Sequence, residues 1–291
     1  MISADILKKI KRIQITTSKM ATDLFSGEYK SVFKGRGLEF VEVREYLPGD
    51  EVRSIDWNVT ARMGRPFIKK FIEERQLTIM FLLDLSRSTS FGTVSRLKRD
   101  LATEVCAVLA AAATSNNDRV GLIGFTDGVE VFITPRKGKA HVFKVIREAL
   151  SHTPRGSGTD IAKALRYLDR VVTKSCVVFL VSDFYTRDIK QALSIAGKRH
   201  DLVAVHISDP RDMEIPDAGV IELESAEGRG KIWLDSSDRE VRERYRREAE
   251  ARMEAVKRLF YSVGMDAMFL RTDMPYEKTM ISFFAKRKMR K

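Results

Sequence analysis

The feature that most constrains this 291-residue chain is an apolar run that ends abruptly in a carboxylate. Residues Leu77 to Leu83 are all apolar or β-branched, and Asp84 follows them directly. A continuous apolar run of this length is typical of a strand that is buried on both faces, as in the middle of a parallel sheet. The chain is therefore expected to build an α/β domain around this strand.

The loop that leaves this strand carries three oxygen-bearing side chains, Asp84, Ser86 and Ser88. In an open α/β sheet, ligands bind at the edge where parallel strands end. A carboxylate and two hydroxyls are hard donors that suit Mg²⁺, which keeps some of its water, with Mn²⁺ as a second candidate. The same residues also fit an ordinary helix N-cap, so the motif alone leaves both interpretations open.

A second stretch of the chain repeats this pattern. The run from Cys176 to Ser182 is mostly apolar and is followed by Asp183, and Thr159 lies in a glycine-punctuated loop before a helix. On local grounds Thr159 and Asp160 could be a simple capping pair. If the two strands are neighbours, however, their loops diverge at a switch point and leave a crevice. The sequence then predicts one metal site, formed by Asp84, Ser86, Ser88, Thr159 and Asp183.

Strands and helices alternate from residue 76 onward, which predicts a doubly wound, mostly parallel, Rossmann-like sheet with right-handed crossovers. The Leu77–Leu83 strand is expected at its centre, beside the strand that ends at Asp183. Two apolar runs joined by Thr126-Asp127-Gly128 predict a hairpin on the other side of the central strand. A long helix is expected from about Val94 to Ser115.

The chain before residue 76 has a different character. Isoleucines at helical spacing predict an amphipathic helix over residues 2–19, and glycines and prolines punctuate short strand-like pieces from Ser26 to Arg75. We therefore expect two parts: an N-terminal helix plus a small β-rich region in residues 1–75, and the α/β domain in residues 76–291.

Composition narrows the class of protein. Lysine and arginine exceed aspartate and glutamate by 52 − 40 = 12, a balance that can signal nucleic acid, an anionic membrane surface or an acidic protein partner. No nucleic-acid module accompanies the charge, so specific nucleic-acid binding is not expected. The sequence has no run of 18 uncharged apolar residues and no signal-peptide core. Cys106 and Cys176 lack metal-ligand spacing, which predicts buried free thiols in a reducing, cytoplasmic setting.

The five predicted site residues make the sequence recognisable. Asp84-x-Ser86-x-Ser88, the threonine of a Gly-Thr-Asp loop and an aspartate after an apolar strand resemble the metal-ion-dependent adhesion site of von Willebrand factor A domains. The segment from Glu45 to Arg62 resembles the signature of a bacterial family catalogued as domain of unknown function 58. Members of that family are similar to von Willebrand factor A proteins and typically accompany MoxR-type AAA+ ATPases.

The resemblance implies a role for each residue. Ser86 and Ser88 would coordinate the metal directly, Asp84 and Asp183 directly or through water, and Thr159 would join the shell. An open position would accept a carboxylate from a partner protein, because few anionic ligands leave the cation under-neutralised. Arg87 departs from the small or apolar residues common at its position, and we expect it to point to solvent.

These observations favour a non-enzymatic interaction module that binds an acidic partner through Mg²⁺ and works with a MoxR-type ATPase in assembling or activating protein complexes. The alternative is a metal-dependent hydrolase acting on phosphoesters. Such chemistry needs a second metal or a general base, and no histidine lies near a motif residue in the sequence. The segment from Asp50 to Arg62 is expected to be a structural clasp anchored by Trp57, with a binding face as the alternative.

Overall fold

The computed structural model describes residues 39–72, 76–186, 188–224 and 230–290. The helix predicted over residues 2–19 lies outside these ranges. The described chain divides into two compact units at residues 77 and 78. The predicted division into residues 1–75 and 76–291 includes residues outside the description and stays a prediction.

The larger unit is built on a six-stranded sheet that confirms the predicted fold class. Its strands are β3 (Thr78–Asp84), β4 (Arg119–Phe125), β5 (Val129–Arg136), β6 (Val177–Ser182), β7 (Asp201–Ser208) and β10 (Asp266–Arg271). The spatial order is β10-β7-β6-β3-β4-β5. All neighbours are parallel except β4 and β5, which form the predicted hairpin. The result is a mixed sheet in which β5 is an antiparallel edge strand.

The apolar run of β3 has the predicted central position. Each residue from Ile79 to Asp84 has 0% of its surface exposed, and the strand pairs with β6 on one side and β4 on the other. Phe81 stacks on Phe179 of β6 with ring centroids 5.7 Å apart. Since each large apolar side chain gains about 1.5–3 kcal/mol on full burial, this strand is a main contributor to the stability of the core.

Six helices accompany this sheet in the described chain. They are α2 (Lys98–Ser115), α3 (Lys139–Ser151), α4 (Ile161–Val171), α5 (Lys190–Arg199), α6 (Arg239–Ser262) and α7 (Glu277–Met289). A short antiparallel pair, β8 (Val220–Glu224) and β9 (Lys231–Asp235), precedes α6.

The predicted start of α2 near Val94 is wrong, because the helix begins at Lys98. The preceding loop is tied to the end of β7: the backbone N–H and the hydroxyl of Thr93 both donate to the carboxylate of Asp209. The Lys98 N–H, at the start of the helix, donates back to the Phe91 carbonyl, so the segment between these two residues is a closed loop and not a helical turn. The predicted end of the helix at Ser115 is confirmed.

The smaller unit contains the predicted β-rich region. Strands β1 (Glu39–Glu45) and β2 (Phe67–Ile72) pair antiparallel, and a short helix, α1 (Trp57–Met63), lies between them in the chain. Asp56 caps α1 by accepting from the N–H groups of Asn58 and Val59. The expectation that Trp57 anchors a clasp is wrong, because 67% of its surface is exposed on the first turn of this helix.

Candidate metal site at the sheet switch point

The predicted neighbours β3 and β6 lie side by side in the sheet. The chain leaves β3 through α2 towards β4, and it leaves β6 through α5 towards β7 on the opposite side. The two loops therefore diverge, as expected at a switch point. Asp84 is the last residue of β3 and Asp183 directly follows β6, so the structure brings these two predicted residues to one edge.

The turn after β3 is held by hydrogen bonds to the Asp84 carboxylate. The Ser86 N–H donates to Asp84 Oδ1 over 2.9 Å, and the Ser182 hydroxyl donates to Asp84 Oδ2 over 2.6 Å. The Thr89 hydroxyl donates to the Ser86 carbonyl. Asp84 and Ser86 are both buried, and the exposed side chain of Arg87 confirms that it points to solvent.

The two predicted hydroxyl ligands lie next to each other. Ser86 Oγ and Ser88 Oγ are hydrogen-bonded to each other over 3.0 Å. An octahedral Mg²⁺ with bonds of about 2.1 Å places adjacent ligand oxygens about 3 Å apart. The serine pair thus has the separation of two neighbouring ligands on one hard cation. Ser88 is only half-buried, so this side of the turn is accessible to solvent.

The loop that carries Thr159 lies beside this turn. The Arg87 N–H donates to the Ser157 carbonyl over 3.2 Å. Asp160 caps α4 by accepting from the Lys163 N–H over 2.7 Å, so the capping interpretation is correct for Asp160. Thr159 is half-buried, and its hydroxyl makes no hydrogen bond to another residue in the described ranges. That oxygen is available as a ligand.

A second anchor fixes the same loop to the β4–β5 hairpin. Glu130 Oε1 accepts from the N–H groups of Arg155 and Gly156 and from the Thr126 hydroxyl. A Cβ atom at Gly156 would lie 2.0 Å from Asp127 Oδ1 and 2.3 Å from Thr126 Oγ1. A side chain at position 156 would therefore fit only if Asp127 and Thr126 moved.

Sequence reasoning missed a buried cation at the site, Lys98. Its ammonium lies 2.8 Å from Asp183 Oδ2 and 3.2 Å from Asp212 Oδ2, and only 2% of the side chain is exposed. The rings of Phe91 and Tyr185 lie 5.7 and 5.4 Å from the same nitrogen. Two carboxylates and two aromatic faces therefore enclose the ammonium.

Asp212 is held by the backbone of Asp209, whose own carboxylate is buried. The Asp209 N–H donates to Asp212 Oδ2 over 2.8 Å. The Asp209 carboxylate itself accepts from Thr93, Arg211 and Thr272. The loops after β7 and β10 thus position Asp212, the second carboxylate partner of Lys98. The local sequence around Asp84 and Asp183 did not indicate this residue.

The electrostatics of the site reflect crowded negative charge. Burial and, to a smaller extent, the charge of Asp183 raise the pKa of Asp84 to about 7, against hydrogen bonds from Ser182 and Ser86 that lower it. Burial acts to lower the pKa of Lys98, but Asp183 and Asp212 outweigh it, and the net pKa shift is upward. Burial also raises the pKa of Asp212. The site therefore favours bound positive charge.

The donor set fits a hard cation by its chemistry. Within the described residues, no group of three or more His, Cys, Asp or Glu is arranged to hold a metal. What the switch point offers is two carboxylates with serine and threonine hydroxyls, which are oxygen donors of the kind that Mg²⁺ takes together with water. Asp183 Oδ2 binds the Lys98 ammonium over 2.8 Å, whereas Oδ1 accepts only a long hydrogen bond of 3.4 Å from the Tyr185 N–H, so Oδ1 is the less engaged oxygen of this aspartate.

His206 lies close to the site in the structure, although it is far from every motif residue in the sequence. His206 of β7 lies beside Ser182 in the sheet register. Its ring stacks on Phe184 and contacts Phe269, and burial lowers the pKa of His206 to about 4. It is a neutral, core-facing imidazole. Cys106 and Cys176 are buried free thiols, as predicted.

The fold and site define a mixed α/β protein with a polar, oxygen-rich cluster at the switch point of a mostly parallel sheet. The chain belongs to the family described as "Protein of unknown function DUF58", whose sequence model matches residues 42–255. The predicted membership of this family is thereby confirmed.

Relatives of the chain are uncharacterized bacterial proteins. An uncharacterized protein of Mycobacterium tuberculosis is 29% identical over 282 residues, which cover 96% of this chain and 89% of the relative. The uncharacterized protein YeaD of Bacillus subtilis is 26% identical over 191 residues, which cover 62% of this chain and 43% of the relative.

Solved structures resemble the chain at low identity. The hypothetical protein BatB from Bacteroides thetaiotaomicron is 15% identical with a TM-score of 0.43, and the match covers 73% of this chain and 99% of that one. An aerotolerance-related membrane protein from Bacteroides fragilis is 15% identical with a TM-score of 0.44, and the match covers 74% of this chain and 100% of that one. In the part of the chain that the structure describes, no helix combines the length and apolarity needed to span a bilayer.

Proposed function

We propose that this protein is a non-enzymatic interaction module that binds an acidic partner through Mg²⁺ held at the switch point. The observation that carries the proposal is the 3.0 Å separation of the Ser86 and Ser88 hydroxyls beside the buried carboxylate of Asp84. Mn²⁺ is the expected substitute, since it accepts the same oxygen donors.

Each predicted residue has a role in this proposal. Ser86 and Ser88 bind the cation directly, and Thr159 supplies a further hydroxyl. Asp84 stays hydrogen-bonded to Ser86 and Ser182 and neutralises the cation directly or through water. Asp183 contributes Oδ1, its less engaged oxygen. The bound cation supplies an electrophilic position for an outside carboxylate.

The charge of the site supports recognition of an acidic group. Lys98 offsets part of the negative charge of Asp183, so a bound divalent cation is not fully neutralised by its ligands. An incoming Asp or Glu side chain completes the neutralisation. The same logic disfavours a basic or neutral partner at this position.

The proposed role is binding without catalysis, with a stated class of partner. His206, the histidine beside Ser182 in the sheet, faces an aromatic cluster and is not placed to act as a general base for a hydrolase. The Glu45–Arg62 segment resembles the signature of proteins that accompany MoxR-type AAA+ ATPases. We propose such an ATPase as the machine with which this module works.

The test is capture of a MoxR-type ATPase from the same genome by the immobilised protein, with Mg²⁺ or with chelator. We expect capture by the wild type in Mg²⁺ and its loss with Asp84→Ala, Ser86→Ala or chelator. The variant Ser90→Ala changes an exposed serine of the same turn and should behave as the wild type. Equal capture by all variants and in chelator would contradict the proposal.

A further inference from the structure

The strand β10 lies at one end of the six-stranded sheet. Among the described strands, only β7 pairs with it. Five consecutive residues, 265–269, line a groove of about 620 Å³ that runs along this edge between α6 and α7. Edge strands present unpaired backbone N–H and C=O groups that can pair with another chain.

The walls of this groove are apolar near the strand. Phe269 of β10 and Phe283 of α7 are half-buried and give the groove its accessible apolar surface, whereas Phe260, Met265 and Met268, which also line it, are buried. Tyr261, at the rim, has 90% of its surface exposed. The groove thus combines an unpaired strand edge with apolar side-chain sites, the two features that β-strand addition uses.

The rim on the α7 side is cationic and regularly spaced. Lys278, Lys286 and Arg290 all line the groove at intervals that are multiples of four residues, with Ser282 between them. Residues four apart lie on one helix face and are about 6 Å apart along its axis. Within the described ranges, Lys278 and Lys286 make no ion pair, whereas Arg290 binds Asp266.

This spacing matches an extended peptide. Lys278 and Lys286 are eight residues apart, about 12 Å along the helix axis. In a β-strand, alternate side chains share one face, and those four residues apart on that face are separated by about 13 Å. We propose that the β10 groove binds an extended segment of a partner protein that carries acidic side chains at alternate positions. Its backbone pairs with β10, its acidic face meets Lys278 and Lys286, and its other side chains contact the apolar wall.

Charge and backbone chemistry together select this partner. Asp266 is the one acidic residue among those that line the groove in the described chain, and Arg287 and Arg290 both bind it. An anionic lipid could satisfy the lysines but not the strand edge. This inference is independent of the metal site, because none of the five predicted site residues lines the groove.

The test uses a fluorescein-labelled peptide of sequence Glu-Val-Glu-Val-Glu-Val and fluorescence anisotropy at low salt. Binding should weaken about tenfold or more in the double variant Lys278→Gln/Lys286→Gln, which removes two groove cations. The matched control, Lys190→Gln/Lys198→Gln, removes two exposed lysines of α5 at the same spacing and should bind as the wild type.

Two further peptides separate strand addition from general attraction. The isomer Glu-Glu-Glu-Val-Val-Val has the same charge without alternation, and a peptide N-methylated at alternate residues cannot complete the backbone pairing. Both should bind more weakly than the parent. Equal binding of the three peptides, loss in the α5 control, or binding of phosphatidylglycerol vesicles without binding of the parent peptide would each overturn the inference.

Discussion

The ammonium of Lys98 lies 2.8 Å from Oδ2 of Asp183, one of the five residues predicted to hold the metal. Both side chains are almost completely buried, with 2% and 1% of their surface exposed. A fixed internal cation therefore occupies one oxygen of a proposed metal ligand. Lys98 and a divalent cation compete for the charge of Asp183, and this competition gives the first prediction.

Replacing Lys98 by Met should tighten Mg²⁺ and Mn²⁺ binding, by about tenfold or more, because the charge of Asp183 is then fully available. The metal-free variant should lose about 3 kcal/mol of stability, since Asp183 and Asp212 keep buried charge without a counter-ion. Calorimetric titration gives the affinity, and thermal unfolding with and without Mg²⁺ gives the stability.

The matched control for Lys98 is Lys257→Met on α6, whose ammonium binds Glu254 at the surface. It should leave metal affinity unchanged. Weaker or equal metal binding by the Lys98 variant would contradict the competition between Lys98 and the metal.

The serine hydroxyls give a second prediction. Ser86→Ala and Ser88→Ala should each weaken Mn²⁺ binding about tenfold or more, because each removes one of the direct oxygen ligands. Ser90→Ala should bind as the wild type, since this residue is exposed in the same turn and is not a proposed ligand. Electron paramagnetic resonance of free Mn²⁺ measures the affinity, and equal loss in all three variants would contradict the assignment.

Gly156 gives a third prediction. In Gly156→Ala the new methyl group must displace Asp127 or Thr126, which costs about 1–3 kcal/mol and shifts the loop that carries Thr159. Metal affinity and the free energy of unfolding should both fall. The control is Gly158→Ala, where the nearest atom would be 3.7 Å away in ordinary contact. Equal behaviour of the two variants would contradict the packing described here.

His206 gives a prediction for pH dependence. The pKa of His206 is lowered to about 4 by burial, from an ordinary value of 6.5. Between these values the unfolded chain binds more protons than the folded one, so the contribution of this residue is complete above pH 6.5 and is lost as the pH falls towards 4. The loss amounts to roughly 3 kcal/mol.

The variant His206→Phe keeps an aromatic ring against Phe184 and removes the titration. Urea unfolding at pH 7 and pH 4 should show that the variant loses less stability on acidification than the wild type. An equal loss in both proteins would mean that His206 is protonated in the folded state at pH 4.

The smaller unit gives a fifth prediction. Asp56→Ala should lower the stability of α1 by about 1 kcal/mol, because it removes the side-chain oxygen that caps the helix. Trp57→Ala should change stability by less than about 0.5 kcal/mol, since Trp57 is largely exposed. Chemical denaturation measures both, and a larger effect of the tryptophan change would restore the clasp interpretation.

The sheet could be predicted from the sequence because its signals are local. The apolar runs that end at Asp84 and Asp183 fix two buried strands, and the Asp127-Gly128 turn fixes a hairpin. The adjacency of β3 and β6 then follows from connection rules. The helix α1 was missed, since a seven-residue helix between glycine-punctuated segments has too short a pattern to recognise.

The environment of the site could not be predicted in the same way. Lys98 lies 85 residues from Asp183 and 114 residues from Asp212 in the sequence. A lysine at the start of a helix ordinarily suggests a solvated charge, and only the meeting of the loops after β6 and β7 buries it. Ser182 likewise could not be predicted as part of the site. It belongs to the strand β6, and its hydroxyl donates to the carboxylate of Asp84 on the neighbouring strand.

The most direct test of the account is calorimetric titration of the metal-stripped protein with Mg²⁺, for the wild type and for Asp84→Ala. We expect the wild type to bind one Mg²⁺ per chain, more tightly when an acidic partner is present, and the variant to bind none. Binding of Mg²⁺ that persists unchanged in Asp84→Ala, or no binding by the wild type with and without a partner, would contradict a metal-bridged interaction at this switch point.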